Sequence, residues 1–178
     1  FKNIIFSNTT ESIRSFTFNH CSSFNLKLPE SIKYLGHCAV ENTAYSYDVN
    51  LPNLIDITAD KTNVPGDLLY WLMDGWFTGT NIQRVTNLGS ITRISGNSDN
   101  YAKGCFEHCS KLKYVTLPAT LQTIGCRTFY GDSALIYIRC LATTAPTIQS
   151  SLWVDNTNST FKIYVPDAQV SAYKAASG

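Results

Sequence analysis

Residues 104–141, GCFEHCSKLKYVTLPATLQTIGCRTFYGDSALIYIRCL, most restrict what this chain can fold into. Phe106, Cys109, Leu112, Val115, Leu117, Pro118, Leu121, Ile124 and Phe129 follow one another at short, regular offsets. Phe129 starts the series again with Asp132, Leu135, Ile138 and Cys140. A self-similar unit of this length specifies a solenoid. One such unit cannot bury its own apolar side, so it has to stack on a neighbour.

Val115 and Leu117 form the inward pair of a Val-x-Leu alternation and serve as the reference strand. Residues 3–24 align with 114–135 without a gap, which puts Ile4 and Phe6 on the reference pair, Ile13 on Ile124 and Phe18 on Phe129. Residues 28–40 align with 117–129, with Leu28-Pro29 on Leu117-Pro118 and Leu35-Gly36 on Ile124-Gly125. Residues 54–69 align with 114–129, so Ile55 and Ile57 are the expected next strand pair, followed by Val64 and Leu69. Residues 76–94 align with 106–124 and assign apolar slots to Trp76, Ile82, Val85, Ile91 and Ile94. Finally, Ile163-Tyr164-Val165-Pro166 repeats Val115-Thr116-Leu117-Pro118.

Strands are therefore expected to start at 4, 26, 55, 85, 115, 138 and 163. Insertions are expected at 41–50, around 70–75 and at 95–104. The remaining connections are too irregular for long helices, which leaves turns, short strands and 3₁₀ segments. No stretch has linker composition, so residues 1–178 read as one domain. Residues 142–160 break the period before the last strand. Pro166, Asp167 and the i,i+3 pair Val170 and Tyr173 then predict a short helix that caps the apolar end of the stack.

Composition bounds the partners. The chain is 44% hydrophobic and 15% charged, which excludes disorder and leaves a surface rich in Asn, Ser and Thr. A net charge of +1 gives no reason to expect nucleic acid or an anionic membrane surface. No apolar run approaches the roughly 18 residues of a membrane span. The chain begins at Phe1, so a leader or anchor removed upstream would leave no trace in it.

Three His-Cys dipeptides, His20-Cys21, His37-Cys38 and His108-Cys109, raise the question of zinc. Cys21 and Cys109 occupy the same repeat slot, which spaces them rungs apart; that slot reads Gly79 and Asp132 in other units. A small buried thiol filling a narrow position is the better reading, and no metal or other cofactor is expected. Cys105 and Cys126 lie in adjacent units at non-equivalent turns, where a bridge needs geometry that spacing does not supply. The histidines adjoin repeat slots and read as turn residues rather than members of a nucleophilic triad. The acids are scattered over loops, with no pair placed for glycoside hydrolysis. No Gly-rich phosphate loop opens a helix. The chain does not read as an enzyme.

Gly104–Gly125 and Phe18–Gly36 resemble the repeat of BspA-like leucine-rich repeat proteins, roughly Ala/Gly-Phe-x-x-Cys-x-x-Leu-x-x-Ile-x-Leu-Pro-x-x-Leu-x-x-Ile-Gly. The tail is similar to the C-terminal cap of such proteins from gut Bacteroidetes and their phages, through Ala145-Pro146-Thr147, Ile163–Pro166 and Ala172–Ala176. The likeness is strong over 1–40 and 104–178; over 41–103 most Cys, Leu-Pro and Gly slots are replaced. The resemblance implies a leucine-rich repeat solenoid, mainly parallel β with short turns and 3₁₀ segments and a short capping helix. It also implies an extracellular or bacterial cell-surface location, adhesion or host contact, and no catalytic residues.

Strand alternation picks out a candidate binding face. If Val115 and Leu117 point inward, Tyr114 and Thr116 point outward. The equivalent outward pairs are Asn3 and Ile5, Asn25 and Lys27, Leu54 and Asp56, Arg84 and Thr86, Tyr137 and Arg139, and Lys162 and Tyr164. The C-terminal half of this ladder, namely Arg84, Thr86, Tyr114, Thr116, Tyr137, Arg139 and Tyr164, is the candidate ligand-binding set, because Tyr and Arg anchor interfaces and rings suit sugar faces. The loops at 41–50 and 95–104 are a second candidate. Two functions follow. One is an adhesin-like module that binds a host or microbial surface protein or a glycan. The other is a structural spacer or assembly domain of a bacterial surface protein or a phage particle.

Overall fold

The computed structural model describes residues 2–55, 75–94, 103–149, 153–155 and 158–176. The chain winds as a parallel β-solenoid. Its first face carries β1 (Lys2–Ile5), β3 (Phe24–Lys27), β5 (Val49–Asn50), β6 (Arg84–Asn87), β8 (Tyr114–Leu117), β11 (Tyr137–Cys140) and β14 (Lys162–Tyr164). β1 pairs with β3, and β5, β6, β8, β11 and β14 form one five-stranded sheet. A second face carries the short strands β2 (Ser12–Ile13), β4 (Tyr34–Leu35), β7 (Arg93–Ile94), β9 (Thr123–Ile124) and β12 (Thr147–Ile148). The turn between successive coils adds the pair β10 (Phe129–Tyr130) and β13 (Val154–Asp155).

The pairing register places equivalent residues on top of one another. Ile4 faces Leu26, and Val85, Val115, Ile138 and Ile163 form one column. Ile94, Ile124 and Ile148 form another on the second face, as Ile13 and Leu35 do. The apolar partner is thus supplied by the next coil, as the repeat requires. The innermost column is aromatic. Phe106 lies flat between Phe77 and Phe129, with ring centroids 5.5 and 5.6 Å away and planes within 7° and 4°. Backbone bonds fix this column: Phe77 N–H donates to Cys105 O and Phe106 N–H to Thr128 O.

These bonds correct two expectations. Phe77, not Trp76, is the equivalent of Phe106; Trp76 fills the slot of Cys105 and is fully buried. Ile82 and Val85 keep their expected buried slots, so one residue is missing between Phe77 and Ile82. Three residues beyond the aromatic column stand Cys21, Thr43, Thr80, Cys109 and Asp132, so the Cys slot is matched by Thr80 and not Gly79. Gly79 instead takes a left-handed turn slot shared with His20, Asn42, His108 and Gly131, all at positive φ.

The third strand is also displaced. It is Val49–Asn50, paired with Val85 and Asn87, and not the segment starting at Ile55. Leu54 is buried and Ile55 is 52% exposed, the reverse of the expected facing. Val49-Asn50-Leu51-Pro52 repeats Val115-Thr116-Leu117-Pro118, so part of the stretch read as an insertion belongs to the ladder. Register shifts by one between Val49 and Asn50. Leu51 N–H donates to Asn87 O, Ser90 N–H to Leu54 O and Ile55 N–H to Lys33 O, so the stack continues through this irregular coil. Asp56, Ile57, Val64, Leu69, most of the insertion around 70–75 and most of the loop 95–104 lie outside the described residues.

The expected cap is present. A 3₁₀ turn, Asp167–Gln169, leads into α1 (Val170–Ala176). Tyr173 packs on the core and its hydroxyl donates to Ala142 O at 2.8 Å. No helix among the described residues is long and apolar enough to cross a membrane.

Candidate functional site

The outward positions of the five-stranded sheet line up across the strands. Register sets Arg84 opposite Tyr114, Tyr114 opposite Tyr137, and Tyr137 opposite Lys162. The neighbouring row runs Thr116, Arg139, Tyr164. Strand spacing of about 4.8 Å brings such side chains into contact. The Arg84 guanidinium lies 5.8 Å from the Tyr114 ring centre. Tyr114 and Tyr137 are 5.0 Å apart at 42°, and Tyr164 meets Tyr137 edge-on at 5.6 Å. Arg84, Tyr114, Tyr137 and Tyr164 therefore make one aromatic and cationic ladder, with Thr116 and Arg139 beside it in the adjoining row. Thr86 stands beside it, with its hydroxyl committed to Val49 O at 3.1 Å.

The exposure of this ladder is graded. Tyr114 and Tyr137 are half-buried by their neighbours, so their rings are ordered before any partner arrives. Arg84 and Arg139 are exposed, and Tyr164 is 50% exposed. Lys162 adds a third cation on the same strands. Asp48, from the turn before β5, stands 4.0 Å from Arg84. Asp48 belongs to the 41–50 loop, the second candidate read from the sequence; alternation with a third strand starting at 55 does not bring it to Arg84, and the strand at Val49–Asn50 does.

The interior groups are held in other ways. Cys109 is buried, donates through Sγ to Phe77 O at 2.9 Å, and has its pKa raised by burial. Its partner in the dipeptide, His108, turns outward beside Tyr130 and stands 3.4 Å from Glu107. Thiol and imidazole thus lie on opposite sides of the wall. Asp132 accepts from Cys109 N–H at 2.8 Å, and burial pushes its pKa up to about 9. Such a shift is common at catalytic carboxyls, but this one occupies a repeat slot inside the stack. Glu107 accepts from Gly104 N–H at 2.9 Å and Arg127 Nε at 2.9 Å, and Glu41 is paired with Lys103. These buried carboxylates tie successive coils together at the turn. Among the described residues, no three His, Cys, Asp or Glu side chains gather as a metal site would require.

A family model for the BspA type leucine rich repeat region matches residues 1–62 and 69–160, in 6 copies. A leucine-rich repeat protein from Bacteroides ovatus ATCC 8483, of known crystal structure, is similar at 16% identity with a TM-score of 0.48. The similarity covers 94% of this chain and 45% of that one, so the present chain spans under half its length. No curated protein matches the chain. Proteins with this repeat are typically bacterial surface or protein-interaction modules, and the solenoid is typically non-enzymatic. The repeated Phe, Cys, Leu-Pro and Ile slots, stacked coil on coil, and the family match over most of the length show that the chain belongs to the BspA-type leucine-rich repeat family.

Proposed function

We propose that this domain is a non-enzymatic, adhesin-like recognition module, displayed outside a bacterial cell, that binds a host or microbial surface protein or glycan through its first face. The ladder of Arg84, Tyr114, Tyr137, Arg139 and Tyr164 carries this reading. Interfaces draw most of their energy from a few Tyr, Trp and Arg anchors, and pre-ordered rings lose little freedom on binding. The test is a binding screen of the purified domain on immobilised mucosal matrix proteins and a glycan array. A hit weakened at least about tenfold by Tyr114→Ala and by Tyr137→Ala, with unchanged circular dichroism, supports the reading. Hits indifferent to both substitutions would sink it.

A second reading is a spacer or assembly domain, either in a larger surface protein or in a phage particle. It is favoured by the incompletely covered end of the stack, where the inward-facing Ile163 is 46% exposed and Ile148 39%. Concentration-dependent association in light scattering, abolished by Ile163→Asp, would support it over the first.

A further inference from the structure

The N-terminal half of the same face differs in chemistry from the tyrosine ladder. β3 and β5 are not joined into one sheet. At this break an open groove of about 920 Å³ runs between the outward side chains of β1 and β3 and the turn before β5. Its floor is two registered pairs, Asn3 with Asn25 and Ile5 with Lys27. Tyr47, Asp48 and Asn50 line the groove from the side of β5.

The groove is held in shape by its own polar contacts. Asn25 Nδ2 donates to the Tyr47 hydroxyl at 3.1 Å, and Asn50 Nδ2 donates to Glu30 at 2.8 Å. The Lys27 ammonium stands 5.9 Å from the Tyr47 ring centre. The Asn25 Oδ1 has no hydrogen-bond partner although it is shielded from solvent. An acceptor in that state lacks the bond that a buried polar group ordinarily makes. Ile5 is 92% exposed, and Tyr47 is 37% exposed.

From these features we infer that the groove is a separate site for a neutral oligosaccharide. A sugar ring has one apolar face and a rim of hydroxyls that both donate and accept. The groove matches each part: the Tyr47 ring and Ile5 for the face, and amides and carboxylates for the rim. The charged residues lining the groove are Lys27, Glu30 and Asp48, so there is no cation surplus to hold a phosphate or a sialylated chain. The inference deepens the recognition reading and rests on it, but uses residues outside the tyrosine ladder.

The experiment is ligand-observed saturation-transfer NMR on the whole domain. The probes are maltoheptaose, cellohexaose, β-1,4-mannohexaose and lacto-N-neotetraose, with a sialylated lactosamine as the charged control. Transfer to at least one neutral probe is expected. Its affinity should fall at least about tenfold in Tyr47→Ala and in Asp48→Ala, both exposed positions, and should hold in Tyr114→Ala. No transfer to any neutral probe overturns the inference, and so does stronger transfer to the sialylated control. Transfer that survives both groove substitutions and is lost in Tyr114→Ala overturns it too, while leaving the proposed ladder function standing.

Discussion

At the scale of single residues, Asp132 shows what the interior demands of a polar slot. Its carboxyl is buried, and its folded pKa of about 9 lies above the ordinary 3.8. A carboxyl raised in this way favours the folded state fully only below its unfolded pKa. That contribution declines as pH rises above about 4 and is gone beyond about 9. Asp132→Asn keeps the acceptor for Cys109 N–H and removes the titration. Its melting temperature relative to the native protein should therefore climb steadily from pH 5 to pH 9 in calorimetry. A difference constant with pH would disprove the linkage. Tyr173 is a second case. Its hydroxyl satisfies Ala142 O, so Tyr173→Phe should lower stability by about 1 kcal/mol in urea titration.

At the scale of the element, facing decides what a side chain is worth. Phe106 is fully buried between two flat-stacked rings, and Phe106→Ala should cost about 3–5 kcal/mol of unfolding free energy. The irregular third coil offers a sharper contrast. Leu54→Ala empties a fully buried slot and should cost about 2–5 kcal/mol. Ile55→Ala, next to it, should change stability by no more than about 0.5 kcal/mol, because that side chain faces water. Urea titration of the two variants reads the register directly. Equal losses would return the strand to residue 55.

At the scale of the whole molecule, the first face has two halves built on one backbone pattern. The C-terminal half is a run of tyrosines in ring contact, with Arg84 against Tyr114 at one end and Arg139 and Lys162 in register beside them. The N-terminal half is asparagine-rich and has no cation surplus, with the groove at the seam between two sheets. A solenoid permits this because outward positions bear no packing duty and vary independently of the core. The cap works at the same scale. Ile163, Val165 and Ile148 line an apolar cavity of about 460 Å³ against α1. A chain ended after Pro166 uncovers that end, and light scattering should then show association that the full chain lacks at equal concentration.

Much of this was legible from the residues. Inward Val, Ile and Phe at repeat spacing identify the stacked core, and strict alternation puts Tyr114, Tyr137 and Arg139 outward, because both signals are local and need no partner to be read. The C-terminal cap was legible for the same reason, through Pro166, Asp167 and Tyr173. Where a coil departs from the repeat, local pattern supports several registers equally. Leu54-Ile55-Asp56-Ile57 alternates as well as Val49-Asn50-Leu51 does, and only the bonds from Leu51 to Asn87 and from Ser90 to Leu54 choose between them. The same holds for the slip at Trp76 and Phe77, which the stacked Phe106 ring decides. The approach of Asp48 to Arg84 and the groove beside Tyr47 also belong to tertiary structure. Each joins residues from different coils, and the distance between coils is set by backbone hydrogen bonds that the order of residues in one coil does not encode.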